Sequence, residues 1–154
     1  LETDSFAWKQ VEKYLRLHQS RRFFGESWRV EDLLTVVALQ PHVSSKGSAD
    51  DTRGAGTVQL LEFFNMVDEF CNGVGQHSAK MAILSGSTHI YFDGTYQLAN
   101  VGEKRAIAFN DKNDLSLKPD SKYISSMGNL HFPGTIISIK FPMPKGMTTE
   151  NGNG

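Results

Sequence analysis

Cysteine occurs once in this chain, at Cys71. One thiol excludes a disulfide framework and any Cys-rich zinc site, and it fits a reducing compartment, the cytoplasm. Neither sign of charge is in excess: 16 Lys and Arg stand against 17 Asp and Glu, a formal net charge of −1. Such balance leaves no basic footprint for nucleic acid and no polybasic signal for an anionic membrane. No apolar run reaches the ~18–20 residues that a bilayer-spanning helix needs. The start lacks the charged-then-apolar order of a signal peptide. His18, His42, His77, His89 and His131 show no H-x-x-x-H or H-E-x-x-H spacing, so nothing local offers a zinc site. No G-x-S-x-G elbow is present to activate a serine. An initial Met is missing as well; a start at Leu1 predicts a processed or excerpted polypeptide.

What remains is enough for one core. The 154 residues are 39% hydrophobic and 21% charged, with Phe contributing 10, and the length matches one domain of ~100–200 residues. Apolar residues at Phe6, Val11, Tyr14, Leu15 and Leu17 among charges predict an amphipathic helix over 4–19, with Asp4 or Ser5 as N-cap. Val30, Leu33, Leu34, Val37 and Ala38 predict a second helix over 30–39, ended by Pro41. A third is predicted over 57–72, buried through Leu60, Leu61, Phe64, Met66, Val67 and Phe70 and stopped at Asn72-Gly73. On that helix Glu62, Asp68 and Glu69 read as its solvated side. Cys71 reads as a small core residue, and Trp8 and Trp28 as packing anchors.

Beyond residue 78 the pattern changes to short β-branched and aromatic runs. Strands are expected at 80–84, 88–92, 106–109 and 135–141, separated by Gly86, Gly94, Gly102 and Pro133-Gly134. Residues 110–126 are polar and read as an exposed excursion. Helices followed by an antiparallel sheet give an α+β layer.

Chemistry concentrates between Ser44 and Thr57. A Ser- and Gly-rich loop there runs into glycines at a helix start. Glycine allows close backbone approach, first-turn N–H groups lack internal partners, and the helix dipole favours an anion. Lys46 and Arg53 add positive charge; Ser44, Ser45 and Thr57 add hydroxyls. By spacing alone an ordinary surface loop explains the glycines equally well. The Walker A order is absent at both Lys46-Gly47 and Lys145-Gly146. The dinucleotide fingerprint also fails, because no buried strand precedes and Gln59 stands where its last glycine belongs.

The run Arg53-Gly54-Ala55-Gly56-Thr57-Val58-Gln59-Leu60-Leu61 resembles the second glycine box of the GHKL ATPases, the superfamily of gyrase B, heat-shock chaperones, histidine kinases and MutL. There R-G-x-G-L-x-x-I/V opens a helix behind an ATP lid. Asp32-Leu33-Leu34 through Val43-Ser44-Ser45-Lys46 is similar to the approach to that lid in stand-alone histidine-kinase-like proteins. Ala82-Ile83-Leu84-Ser85-Gly86 with Tyr91-Phe92-Asp93-Gly94 resembles their hairpin. Phe132-Pro133-Gly134-Thr135-Ile136-Ile137-Ser138-Ile139 resembles their closing strand. Thr57 departs from the usual Leu.

The resemblance implies a partial Bergerat-type two-layer sandwich, with helices on a mixed or antiparallel sheet, binding ATP and Mg²⁺. It implies that Gly54 and Gly56 meet the phosphates, that Ser44, Ser45 and Lys46 belong to the lid beside Arg53 and Thr57, and that Thr135 faces the adenine end. It assigns residues 1–28 to a helical variable insert and 29–143 to lid, glycine-box helix and sheet, leaving 144–154 as a disordered tail. The family's upstream helix with its acidic base and Mg²⁺-holding Asn is absent before Arg29. So is its D-x-G-x-G box; Cys71-Asn72-Gly73-Val74-Gly75 carries Cys in place of Asp and lies downstream. No catalytic residue is therefore assigned. The intact parent is expected to be an ATPase or kinase-like protein, this chain alone being inactive. A non-catalytic interaction scaffold of the same fold is the alternative, with a protein partner or a second copy as occupant.

Overall fold

The structure, a computed structural model, describes residues 6–21, 28–41, 43, 55–73, 78–102 and 104–142. Three helices come first: α1 (Phe6–Arg21), α2 (Val30–Ala38) and α3 (Ala55–Gly73). Six strands follow: β1 (Lys80–Gly86), β2 (Thr88–Phe92), β3 (Ala99–Val101), β4 (Lys104–Ala106), β5 (Ile124–Ser126) and β6 (Phe132–Lys140). Strands β5-β2-β1-β6 form one antiparallel sheet in that order, and β3 with β4 forms a separate hairpin. Helices packed on an antiparallel sheet make an α+β fold, as the pattern predicts.

Period-two alternation explains which face is buried. Met81 and Ile83 of β1 lie opposite Phe92 and Ile90 of β2, and Ile90 lies opposite Ile124 of β5. All five are buried. They share one core with Leu33, Val36 and Val37 of α2 and Leu61, Phe64 and Cys71 of α3. Edge-to-face ring contacts run through it from Phe64 to Phe92, Phe92 to Phe109, Phe109 to Tyr96 and Tyr96 to Tyr123. Trp28 is buried as expected and its indole N–H donates to the Leu117 carbonyl. Trp8 is half-buried against the core.

Four expectations change. Residues 107–109 are not strand: β4 stops at Ala106, and Phe109 sits at φ 56 in a buried loop. The polar stretch 110–126 is not an exposed excursion, because Leu115, Tyr123 and Ile124 enter the core and β5 closes one sheet edge. Met66 and Phe70 of α3 are 59% and 55% exposed, so the buried stripe is narrower than their hydrophobicity implies. Asp68 is buried rather than solvated. Its Oδ1 accepts from the Ala79 N–H at 2.9 Å and its Oδ2 from Asn72 Nδ2 at 3.2 Å, which ties the end of α3 to the start of β1. The N-cap candidates Asp4 and Ser5 and the tail 144–154 lie outside the described residues.

Two glycines are required by geometry. Gly86 and Ser87 connect β1 to β2, and Gly86 takes φ +58 at the position where a type II′ hairpin turn needs a positive value. A Cβ there would also overlap the Glu31 carboxylate. Gly94, at φ +84 after β2, packs against Asp68 in the same way.

Candidate functional site

Of the expected phosphate-binding residues, Ser44, Ser45, Lys46, Arg53 and Gly54 lie outside the described residues. Gly56 and Thr57 occupy the first turn of α3, Gly56 exposed and Thr57 half-buried. Among the described residues, no atom lies within 4 Å of where a Gly56 Cβ would stand. Packing therefore does not demand glycine at this position.

Thr135 lies on β6 opposite Ser85, to whose Oγ its hydroxyl donates at 3.3 Å. Because Ile83 faces the helices and pairs with Ile137, Thr135 and Ile137 share that helix-side face. Both are exposed. Ile139, on the same face of β6, is half-buried against the core, so that face is exposed only toward the Thr135 end. Among the described residues no hydrogen bond joins Thr135 to α3.

A polar corner that no sequence motif marks stands beside the β1–β2 turn. Glu31, in the first turn of α2, accepts from the Ser87 N–H at 2.7 Å and from the Ser87 hydroxyl at 2.5 Å. Those two bonds, chiefly the hydroxyl, hold its carboxyl below the usual range, with His131 and Arg29 adding to them. Its neighbour Asp32 is buried and accepts from the fully buried Thr88 hydroxyl at 2.7 Å. Burial raises the Asp32 pKa against the opposing pull of Thr88 and Arg29. Arg29 spans the corner, with Nε 3.2 Å from Asp32 Oδ2 and Nη2 donating to Ser87 Oγ at 2.9 Å. Every group here is matched by a protein partner, so the corner is a joint between α2 and the hairpin. Glu31 at an exposed helix start carries no sequence signal of that role.

A cleft lies elsewhere among the described residues. It encloses about 620 Å³ and opens between α1, the end of α2, the β3–β4 hairpin and the 107–115 loop. Gln40 and Asn113 brace its walls. Gln40 donates to the Val36 and Ile107 carbonyls at 2.7 and 2.8 Å and accepts from the Ile107 N–H at 3.1 Å. Asn113, at φ 48, accepts from the Ala108 N–H at 2.7 Å and donates to the Ala106 carbonyl at 2.8 Å. Val37, Val43, Val101 and Leu115 give the cleft an apolar interior beside Tyr14. Burial, and secondarily the Asp114 carboxylate, raises the Tyr14 pKa. Lys13, Arg105 and Lys112 supply cations at the walls. The hairpin and the 107–115 loop that build the cleft are the segments least legible from sequence. Gly56, Thr57 and Thr135 do not line it.

Among the described residues no cluster of metal-ligating side chains occurs, and no helix is long and apolar enough to cross a membrane. Comparison with protein-family models, with curated proteins and with solved structures finds no match to this chain.

Proposed function

We propose that the chain contributes the lid, the second glycine box and the sheet of a histidine-kinase-like ATP-binding domain of the GHKL type, a partial Bergerat sandwich with ATP and Mg²⁺ as its ligands. The observation that carries this reading is Gly56. Glycine forms helix less readily than Ala, and at Gly56, in the first turn of α3, no described neighbour needs the missing Cβ. A backbone kept bare for close approach of a phosphate accounts for the glycine. The exposure of Thr135 on the inner face of β6 supports the same reading, since it leaves the hydroxyl accessible to a ligand.

The natural polypeptide, with whatever residues precede Leu1, supplies the test. Isothermal titration with ATP·Mg²⁺ is expected to show binding in that polypeptide and weak or no binding in this chain alone. Gly56→Ala is expected to weaken binding at least ten-fold in the polypeptide. The same substitution is expected to stabilise this chain by about 0.5–1 kcal/mol in urea denaturation. Absence of ATP binding in the natural polypeptide overturns the reading.

A second reading, the interaction scaffold, is favoured by one observation. Ile136 and Ile137 project to opposite faces of β6 and are 42% and 47% exposed. An edge strand with apolar side chains on both faces suits pairing with another strand. Retention of a protein partner or dimer by a polypeptide that does not bind ATP would select this reading.

A further inference from the structure

We infer that the cleft between α1 and the β3–β4 hairpin is a binding site for a small organic anion with an apolar body, lined by none of Gly56, Thr57 and Thr135. Its volume of about 620 Å³ falls within the ~300–1,000 Å³ of small-molecule sites. Its charge balance selects the sign: Lys13, Arg105 and Lys112 face one carboxylate, Asp114, among the lining residues. Arg105 is held by Glu62, at 2.5 Å. The Asp114 carboxylate is already engaged by the Ser116 N–H and hydroxyl at 2.7 and 2.9 Å. Lys13 and Lys112 make no ion pair among the described residues; Lys13 Nζ lies 5.8 Å from the centroid of the Tyr14 ring, and both ammonium groups can meet an anion at the rim.

The interior selects the body. Val37, Val101 and Leu115 offer only carbon, and the amides of Gln40 and Asn113 are consumed by the backbone. An aromatic or acyl chain ending in carboxylate, sulfonate or phosphate matches both the wall and the rim. Because Gln40 and Asn113 fix the walls, the site is formed before the ligand arrives, and little binding energy goes into ordering it.

The probe is 8-anilinonaphthalene-1-sulfonate, titrated into the full chain by fluorescence, with dodecanoate and 1-naphthyl phosphate as competitors that separate a carboxylate from a phosphate preference. Saturable binding at one site is expected, weakening with added salt. The pair Lys13→Gln and Lys112→Gln is expected to weaken it at least ten-fold, and Ala106→Leu, which narrows the cleft without changing charge, at least five-fold. Ile137→Lys on β6 and Gly56→Ala on α3 are expected to leave it within two-fold. The inference is overturned if the dye does not saturate. It is equally overturned if Ile137→Lys abolishes binding that the lysine and Ala106 variants leave intact.

Discussion

Glu31 and Asp32 are adjacent carboxylates with opposite responses to folding. The folded state lowers the Glu31 pKa through Ser87 and raises that of Asp32 through burial. A depressed carboxyl contributes stability that is present above its ordinary value of 4.5 and lost as pH falls through the folded value. Asp32 acts in the reverse sense: its charged form is the costly one, so acid relieves it. Glu31→Gln is therefore expected to flatten the fall of stability below about pH 4.5 relative to the parent chain, as measured by urea midpoints across pH 3–7. An unchanged acid slope would show that the Ser87 bonds do not bias folding. Gly94 sets a second single-residue constraint. Gly94→Ala combines a left-handed backbone, costing ~1–2 kcal/mol, with displacement of a buried carboxylate whose hydrogen bonds are worth a further ~1–3 kcal/mol. Thermal denaturation is expected to shift down by roughly 5–15 °C. A shift under 2 °C would mean that Asp68 yields without cost.

At the scale of elements, legibility followed periodicity. Strands β1 and β2 stand almost where alternation places them, because Met81, Ile83, Ile90 and Phe92 must share one face. Helix α2 also ends before Pro41 as expected, with Leu39 as its C-cap. The 107–123 segment was not legible. Its burial depends on side chains that satisfy backbone locally: Asn110 Nδ2 reaches the Ala108 and Asp114 carbonyls, and Asn113 bridges Ala106 to Ala108. A polar composition therefore hides a packed loop, since polarity was spent inward on the chain and not outward on water. Asp68 misled for a related reason. It lies on the same helical stripe as Leu61, Phe64 and Cys71, all buried, and Ala79, distant in sequence, gives its carboxylate a buried partner. Of the residues that motif order assigns to the nucleotide, only Gly56 and Thr57 at the phosphates and Thr135 at the adenine end fall among the described residues.

Across the whole molecule, the cleft and Thr135 lie in different parts of the fold. The cleft is built where α1 and the end of α2 meet the β3–β4 hairpin, whereas Thr135 stands beside the β1–β2 turn. The sheet itself is assembled from unequal separations along the chain. The β1–β2 pairing is closed by a two-residue turn, while β6 reaches β1 only after the intervening hairpin and loop. Closing that longer segment carries the greater entropy cost. The edge position of β6 leaves a signature in amide hydrogen exchange. In an antiparallel edge strand every second N–H points away from its neighbour and is bonded to no strand. Exchange along Phe132–Lys140 is therefore expected to alternate fast and slow with a period of two, while Met81–Leu84, flanked by β2 and β6, stays slow at every position. Capture of a strand along this edge would slow the fast set alone, so the rhythm of exchange reads out both the free edge and its occupation.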